Sequence, residues 1–207
     1  MHINIHKTEI TDVLVIGCGG AGLRAAIEVK SKGSDVKVLG KRPKNDSHTS
    51  LAAGGINAAL GNLDPKDSWE QHFIDTYLEG YQLGDPTQIE LMVKHSPELV
   101  KEIDNWGANF ERLKNGKLNQ RYFGAHKYRR TCFSGDFTGL SILNALLMRA
   151  DLLKIPISDS QYVTDLLVKN ETCFGAMSIN TNNYERTVYF ADAIVLCTGG
   201  HTRLWKK

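Results

Sequence analysis

The sequence predicts an α/β fold, with a central parallel sheet, helices packed on it and a small β-meander. Three observations predict it. Residues 12–16 read DVLVI, a nearly continuous apolar run suited to a strand buried on both faces. The turn GCGGAG follows at once and opens a helix. Far downstream, residues 193–197 read AIVLC and run into Thr198-Gly199-Gly200, a second strand-to-glycine turn.

After the first turn, Leu23, Ala25, Ala26, Ile27 and Val29 make a helix with a small-residue face. Gly33 closes it, and residues 36–39 make a second short strand. A strand-turn-helix-strand unit of about 30 residues has the size that Rossmann-like dinucleotide binding requires. Gly17 permits the tight turn, and Gly19, beside Gly20, lets the backbone approach a pyrophosphate. Gly22 lets the helix pack close to the strand, and the helix N-terminus meets phosphate charge with its N–H groups. A glycine triplet alone also occurs where a helix merely packs on a sheet; the flanking strand and helix favour dinucleotide binding. The acidic ribose ligand usual at the end of the second strand is absent, because Gly40, Lys41 and Arg42 stand there. That argues against plain NAD. The basic pair suits a 2′-phosphate, so NADP stays open on this feature alone.

Residues 40–50 are a polar loop holding Pro43 and Ser47-His48-Thr49, and residues 52–60 are small and apolar around Gly54-Gly55. Asp67 or Ser68 caps a helix running to about Tyr81. Asp85-Pro86 begins another, which Ser96-Pro97 interrupts or kinks and Trp106-Gly107 ends. Residues 108–122 read as a small hairpin around Asn115-Gly116, and residues 123–137 as a basic, aromatic loop. A helix follows from Thr138 to about Asp151. Strands are predicted at 160–169, 173–180, 187–190 and 193–197. The first three form the meander, and the last is a buried parallel strand.

With 42% hydrophobic and 23% charged residues, the 207-residue chain suits one good core or a domain and a half. A net charge of +2 gives no electrostatic case for nucleic acid. Cys18, Cys132, Cys173 and Cys197 have neither metal-ligand nor redox spacing and read as reduced thiols. No apolar run reaches the roughly 18 residues of a membrane span. The N-terminus has neither a secretory apolar core nor an Arg-rich import segment. Only seven residues follow Gly200, so the sheet is expected to be incomplete at the C-terminus and the chain truncated.

Several ordered blocks resemble the flavoprotein subunits of succinate dehydrogenase and fumarate reductase, a wider family that also holds L-aspartate oxidase. They are the VIGCGGAGLRAA turn, SHT-x-x-A-x-GGINAALG, DSWEQHFIDTYLEGYQLGD and WGANFERLKNGKLNQRYFG. RT-x-x-x-x-D-x-TG at residues 130–139 and the strand ending in TGG complete the set. The resemblance implies that residues 1–207 are the N-terminal portion of an FAD-binding domain, without capping and C-terminal helical domains. It accounts for Gly40, since these flavoproteins commonly carry a small residue followed by Lys there.

By the same resemblance, His48 matches the histidine that bonds covalently to the 8-methyl carbon of FAD; aspartate oxidases generally lack it. Taken alone, His48 reads equally as a solvated loop residue. Gly17, Gly19, Gly20 and Gly22 would hold the pyrophosphate, and Lys41, Ser47 and Thr49 would line the adenosine and flavin path. Gly54 and Gly55 would bring backbone N–H groups to the flavin and the dicarboxylate, while Ala53 replaces a common Gln. Phe123 matches a phenylalanine over the substrate, although a core aromatic fits its sequence as well. Arg130, Thr131, Asp136 and Thr138 match a loop near the cofactor, with Arg130 and Asp136 expected to pair, and His126 receives no role. Val163 and Thr198, Gly199 and Gly200 match backbone positions around the adenosine. The family's proton-shuttling Arg, substrate His and Thr-Glu pair have no counterpart in these residues.

The resemblance implies exchange of a hydride between succinate or fumarate and FAD. An iron-sulfur subunit and, indirectly, a membrane anchor are the expected partners, at the cytoplasmic inner face of the plasma membrane if the source is prokaryotic. The alternatives are an L-aspartate oxidase-like enzyme with non-covalent FAD, and a truncated nucleotide-binding module without activity.

Overall fold

A computed structural model of the chain describes residues 4–200. By their internal contacts the described residues divide into two compact units, 4–49 with 146–200, and 50–145. The chain passes between them within a 3₁₀ turn, His48–Leu51, and within helix α4, Thr138–Leu152.

The first unit is built on one sheet. Strand β1 spans Lys7–Ile16, and its DVLVI end buries Leu14 and Val15 completely. It is flanked on one side by β2 (Val36–Leu39), paired in parallel from Val13↔Val36 to Ile16↔Leu39. The two-residue strand β5 (Ile157–Ser158) adds a parallel edge to β2. It is too short to show any periodicity, so nothing in the residue pattern announces it. On the other side β1 pairs in parallel with β8 (Arg186–Leu196), from Lys7↔Thr187 to Ile16↔Leu196. β7 (Thr172–Asn180) and β6 (Gln161–Lys169) complete the order β5-β2-β1-β8-β7-β6 by antiparallel pairing.

The two strands predicted at 187–190 and 193–197 are therefore one. Ala191 and Asp192 contain no turn-forming glycine or proline, so the chain stays extended through them. The first half of β8 pairs with β7 and closes the meander, while the whole strand pairs with β1. Nor is the AIVLC segment buried throughout: Ile194 packs on the core, but Leu196 is 58% exposed.

Helix α1 (Gly20–Ser31) follows β1 and buries Gly22, Leu23, Ala26 and Ile27. Gly33, at φ +90°, turns the chain out of it. Leu14, Ile16 and Leu39 form a core with Ala176, Tyr189 and Ala191 on the sheet, so both halves of the sheet share one apolar interior.

In the second unit, helix α2 (Trp69–Glu79) starts where the Ser68 hydroxyl accepts the Gln71 N–H. α3 (Pro86–Asn105) starts at Asp85, which caps the Thr87 N–H. Helix α3 passes through Ser96-Pro97 without the expected interruption. Proline deprives the carbonyl four residues back, that of Val93, of its helical partner. The Ser96 hydroxyl donates to that same carbonyl at 3.0 Å and replaces the lost bond. Val100 and Ile103 of α3 then pack with Ala58, Phe110, Leu118, Cys132 and Ala145. Short strands β3 (Ile56–Asn57) and β4 (Thr131–Cys132) pair antiparallel in this unit. The predicted hairpin is present as the Arg112↔Leu118 bridge, turning at Gly116 with φ +82°.

No helix of the described residues is long and apolar enough to cross a membrane.

A methyl group on Gly22 would lie 1.8 Å from the Gly17 carbonyl oxygen. Gly22→Ala is therefore expected to cost about 3 kcal/mol or more, because backbone must move to admit it. Urea unfolding of the full protein checks this.

Candidate functional site

In the first unit the glycine turn is held by contacts that exclude side chains. Gly17 sits at φ +116°, and a Cβ there would stand 2.1 Å from the Cys197 carbonyl oxygen. The Gly17 N–H donates to Leu39 O and the Cys197 N–H to Ile16 O, each at 2.8 Å. The ends of β1, β2 and β8 are thus stitched together below the N-terminus of α1. That helix has no carboxylate in its first turn and no side-chain cap on its N-cap residue, Gly19. Its positive end is left uncompensated from within the helix.

One side chain does reach it. Thr49 Oγ1 accepts the Gly20 N–H at 2.9 Å. A Cβ at Gly19 would lie 3.3 Å from that oxygen and 3.7 Å from Ser47 Cβ. Ser47 and Thr49 are therefore seated over the glycine turn, and His48, between them, is exposed. The structure brings together Gly17, Gly19, Gly20, Gly22, Ser47 and Thr49. Thr198, Gly199 and Gly200 follow the strand end that touches Gly17 and are exposed, with Gly199 at φ +78°. Lys41 is exposed, with its Nζ 5.7 Å from the Tyr162 ring centre. Val163 is half-buried and packs against the Leu14–Tyr189 core.

Gly40 has a local reason that sequence reading missed. A Cβ there would meet Cys18 Sγ at 2.7 Å and the Arg42 carbonyl oxygen at 3.1 Å. Cys18 is buried, and burial pushes its thiol pKa up, so it fills space as a neutral group. An acidic ribose ligand at residue 40 has no room for its own Cβ. The cradle fits a dinucleotide held by backbone N–H groups and a helix end, without the usual acid.

In the second unit, Gly54, Gly55 and Phe123 come together. A Cβ on Gly54 would stand 2.5 Å from Phe123 Cζ, so the ring rests on the glycine backbone. Phe123 is 54% exposed, which favours a surface role over a core one. Gly55, at φ +129°, is pressed against Thr131 and the Cys132 carbonyl. Arg121, which sequence reading passed over, donates from Nη2 to the Gly54 carbonyl at 2.8 Å. An extended chain puts residues 121 and 123 on the same face, a signal present in RYFG but invisible without the partner loop.

The expected Arg130–Asp136 pair does not form. Asp136 is exposed, whereas Arg130 is fully buried and bridges Asp67 and Asp75 at 2.8 Å each. A guanidinium taken from water needs carboxylates equally withdrawn from it, and Asp136 on its open loop is not. Burial pushes the Asp67 pKa up against the pull of Arg130. Gln71 and the Lys127 N–H bind Asp75. Beside the cluster, Asn57 meets His126 at 3.2 Å and accepts the Thr131 hydroxyl at 2.6 Å. His72 is buried, and its pKa falls to about 4, first through burial and then through the Arg130 charge. His126 is lowered by the same two causes. No group of three or more His, Cys, Asp or Glu side chains among the described residues is arranged to hold a metal.

The family described as FAD binding domain matches residues 12–207. A fumarate reductase (CoM/CoB) subunit from Methanothermobacter marburgensis is 38% identical over 190 residues, 91% of this chain and 35% of that one. The succinate dehydrogenase flavoprotein subunit of Rickettsia bellii is 36% identical over 202 residues, 94% of this chain and 34% of that one. Among solved structures, the Mycobacterium smegmatis Sdh1 complex superimposes with a TM-score of 0.92 at 36% identity, covering 94% of this chain and 35% of that one. An E. coli quinol fumarate reductase gives 0.87 at 31% identity, covering 97% and 34%. The chain spans about a third of the length of the curated relatives it matches.

The histidines beside Arg130 make stability depend on pH. As pH falls from about 7 to about 5, unfolded chain takes up protons at His72 and His126 that the folded state resists. Stability is then lost with falling pH, by about 2 kcal/mol for His72 over that window. The raised pKa of Asp67 works in the opposite sense, from the acid end of the range. Urea midpoints at several pH values are expected to fall in this way, and His72→Asn to flatten the profile.

Proposed function

Since the chain belongs to the FAD binding domain family, we propose that it is the cofactor-holding part of a flavoprotein that interconverts succinate and fumarate. Electrons leave through an iron-sulfur subunit, docked in turn on a membrane anchor. The observation that carries this reading is the bond from the Gly20 N–H to Thr49 Oγ1, which seats Ser47-His48-Thr49 over the dinucleotide turn. The names of the relatives point to the same reaction.

FAD, when bound, supplies the two-electron acceptor or donor. The chain's own residues hold it and meet the substrate. The Gly19 backbone and the N-terminus of α1 bind the pyrophosphate, with Gly17 and Gly22 keeping the turn close enough to do so. Lys41 and the Thr198–Gly200 turn serve the adenosine half, together with the backbone at Val163. His48, exposed and carried between two seated neighbours, is the attachment point for the 8-methyl carbon of FAD. Gly54 and Gly55 present N–H groups to a substrate carboxylate, and Phe123 covers it with an apolar ring. Moving the substrate proton is assigned to none of these residues.

His48 separates this reading from an aspartate oxidase-like one. On acid precipitation of the native full-length protein, flavin is expected to stay with the pellet. In His48→Ala it is expected in the supernatant, with succinate oxidation lowered about tenfold or more. Flavin released by the unsubstituted protein would sink the covalent assignment.

A further inference from the structure

The loop at Gly54-Gly55 is gripped from one side by two residues of one short extended segment. Arg121 is fixed by its backbone, which exchanges hydrogen bonds with Thr131 at 3.0 and 3.2 Å. Its guanidinium lies 4.2 Å from the Phe133 ring centre. From that seat Nη2 reaches Gly54 O at 2.8 Å, Ala53 O at 3.3 Å and Gly135 O at 3.4 Å. Two residues on, Phe123 rests on the Gly54 backbone.

The two carbonyls have planar trans partners. Ala53 O belongs to the peptide whose N–H is that of Gly54, and Gly54 O to the peptide whose N–H is that of Gly55. No peptide bond among the described residues is cis. With each carbonyl drawn to Arg121, each N–H points the opposite way. Neither N–H, among the described residues, donates to a loop or turn carbonyl. A cation on the carbonyl also polarises the peptide, which makes its N–H a stronger donor. Gly55 at φ +129° holds the conformation that this arrangement needs.

We propose that Arg121 is a positioning residue for dicarboxylate binding, taking up the carbonyls of Ala53 and Gly54 so that the N–H groups of Gly54 and Gly55 stand as a preformed donor pair. The inference rests on the dicarboxylate reading of this site. Arg121 itself touches no substrate. Its planar guanidinium, seated on the Phe133 ring, sets the geometry from which Nη2 reaches the carbonyls, and a lysine has no such planar group.

The test is a malonate titration of the FAD-loaded native protein, followed by the flavin difference spectrum, in the unsubstituted form, R121K and R121A. A saturable change is expected in the unsubstituted protein. Both variants are expected to keep their FAD and to bind malonate about tenfold more weakly or worse. Methylguanidinium is expected to restore tight binding to R121A. Variants that bind malonate as tightly as the parent overturn the inference. Loss of FAD from both variants overturns it too, by assigning Arg121 to the fold. No malonate response in the unsubstituted protein overturns the dicarboxylate reading itself, and that failure is distinguishable because it precedes any substitution.

Discussion

Two hydrogen atoms set the geometry of the nucleotide-binding unit. At Gly22 and Gly17 the backbone runs so close to other backbone that nothing larger than hydrogen fits beneath the first turn of α1. The first contact sets the helix against the turn, and the second sets the turn against the end of β8. Everything proposed for the phosphate end depends on that spacing, because the helix N-terminus acts only over its first turn. Thr49 follows from it as well: its hydroxyl meets Gly20 only if the helix starts where the glycines put it. A closed set of carbonyl and amide contacts, rather than a charged side chain, shapes the cradle. Gly40 shows the same logic, since buried Cys18 already fills the place of the missing acid.

The second unit is organised by charge withdrawn from water. Arg130 between Asp67 and Asp75 is an expensive way to build an interior, because each ion gives up hydration that its partners only partly return. What it supplies is direction. Arg130 joins α2, through Asp75, to the segment before α2, through Asp67, and its own neighbour Thr131 lies in β4 against Gly55. The loop that carries Gly54 and Gly55 is thereby tied to the ionic cluster through Thr131 and held by Arg121 through its carbonyls. Removing one partner would strand the remaining charge, a loss of about 3–5 kcal/mol.

Local chemistry made much of this legible in the sequence. The strand at 12–16, the glycine turn, α1 ending at Gly33 and the caps at Ser68 and Asp85 all rest on neighbours within a few residues. Failures came where a distant partner decides. One local feature was missed as well: α3 continues through Pro97, because the neighbouring Ser96 hydroxyl satisfies the carbonyl that proline orphans. Residues 187–190 and 193–197 read as a meander strand and a separate parallel strand, whereas one continuous strand pairs with β7 along its first half and with β1 along its length. Arg130 was paired with the wrong aspartate because sequence proximity says nothing about which carboxylate is equally dry. Arg121 went unseen because its partners are main-chain oxygens, which leave no trace in residue identity.

The place of β8 beside β1 has a consequence for how the chain is made. The strand that fills the middle of the sheet emerges about 180 residues after the one it pairs with, from Lys7↔Thr187 to Ile16↔Leu196. At ordinary rates of synthesis, β1 waits about ten to forty seconds with that edge open. An open apolar edge is a template for pairing with the wrong chain. The exposed half of β1 reads KTEITD, and Glu9 is bound by both Lys7 and Lys37 in the finished fold. Charges along an open strand disfavour such pairing, and Lys7, Glu9 and Asp12 place them on this half of β1.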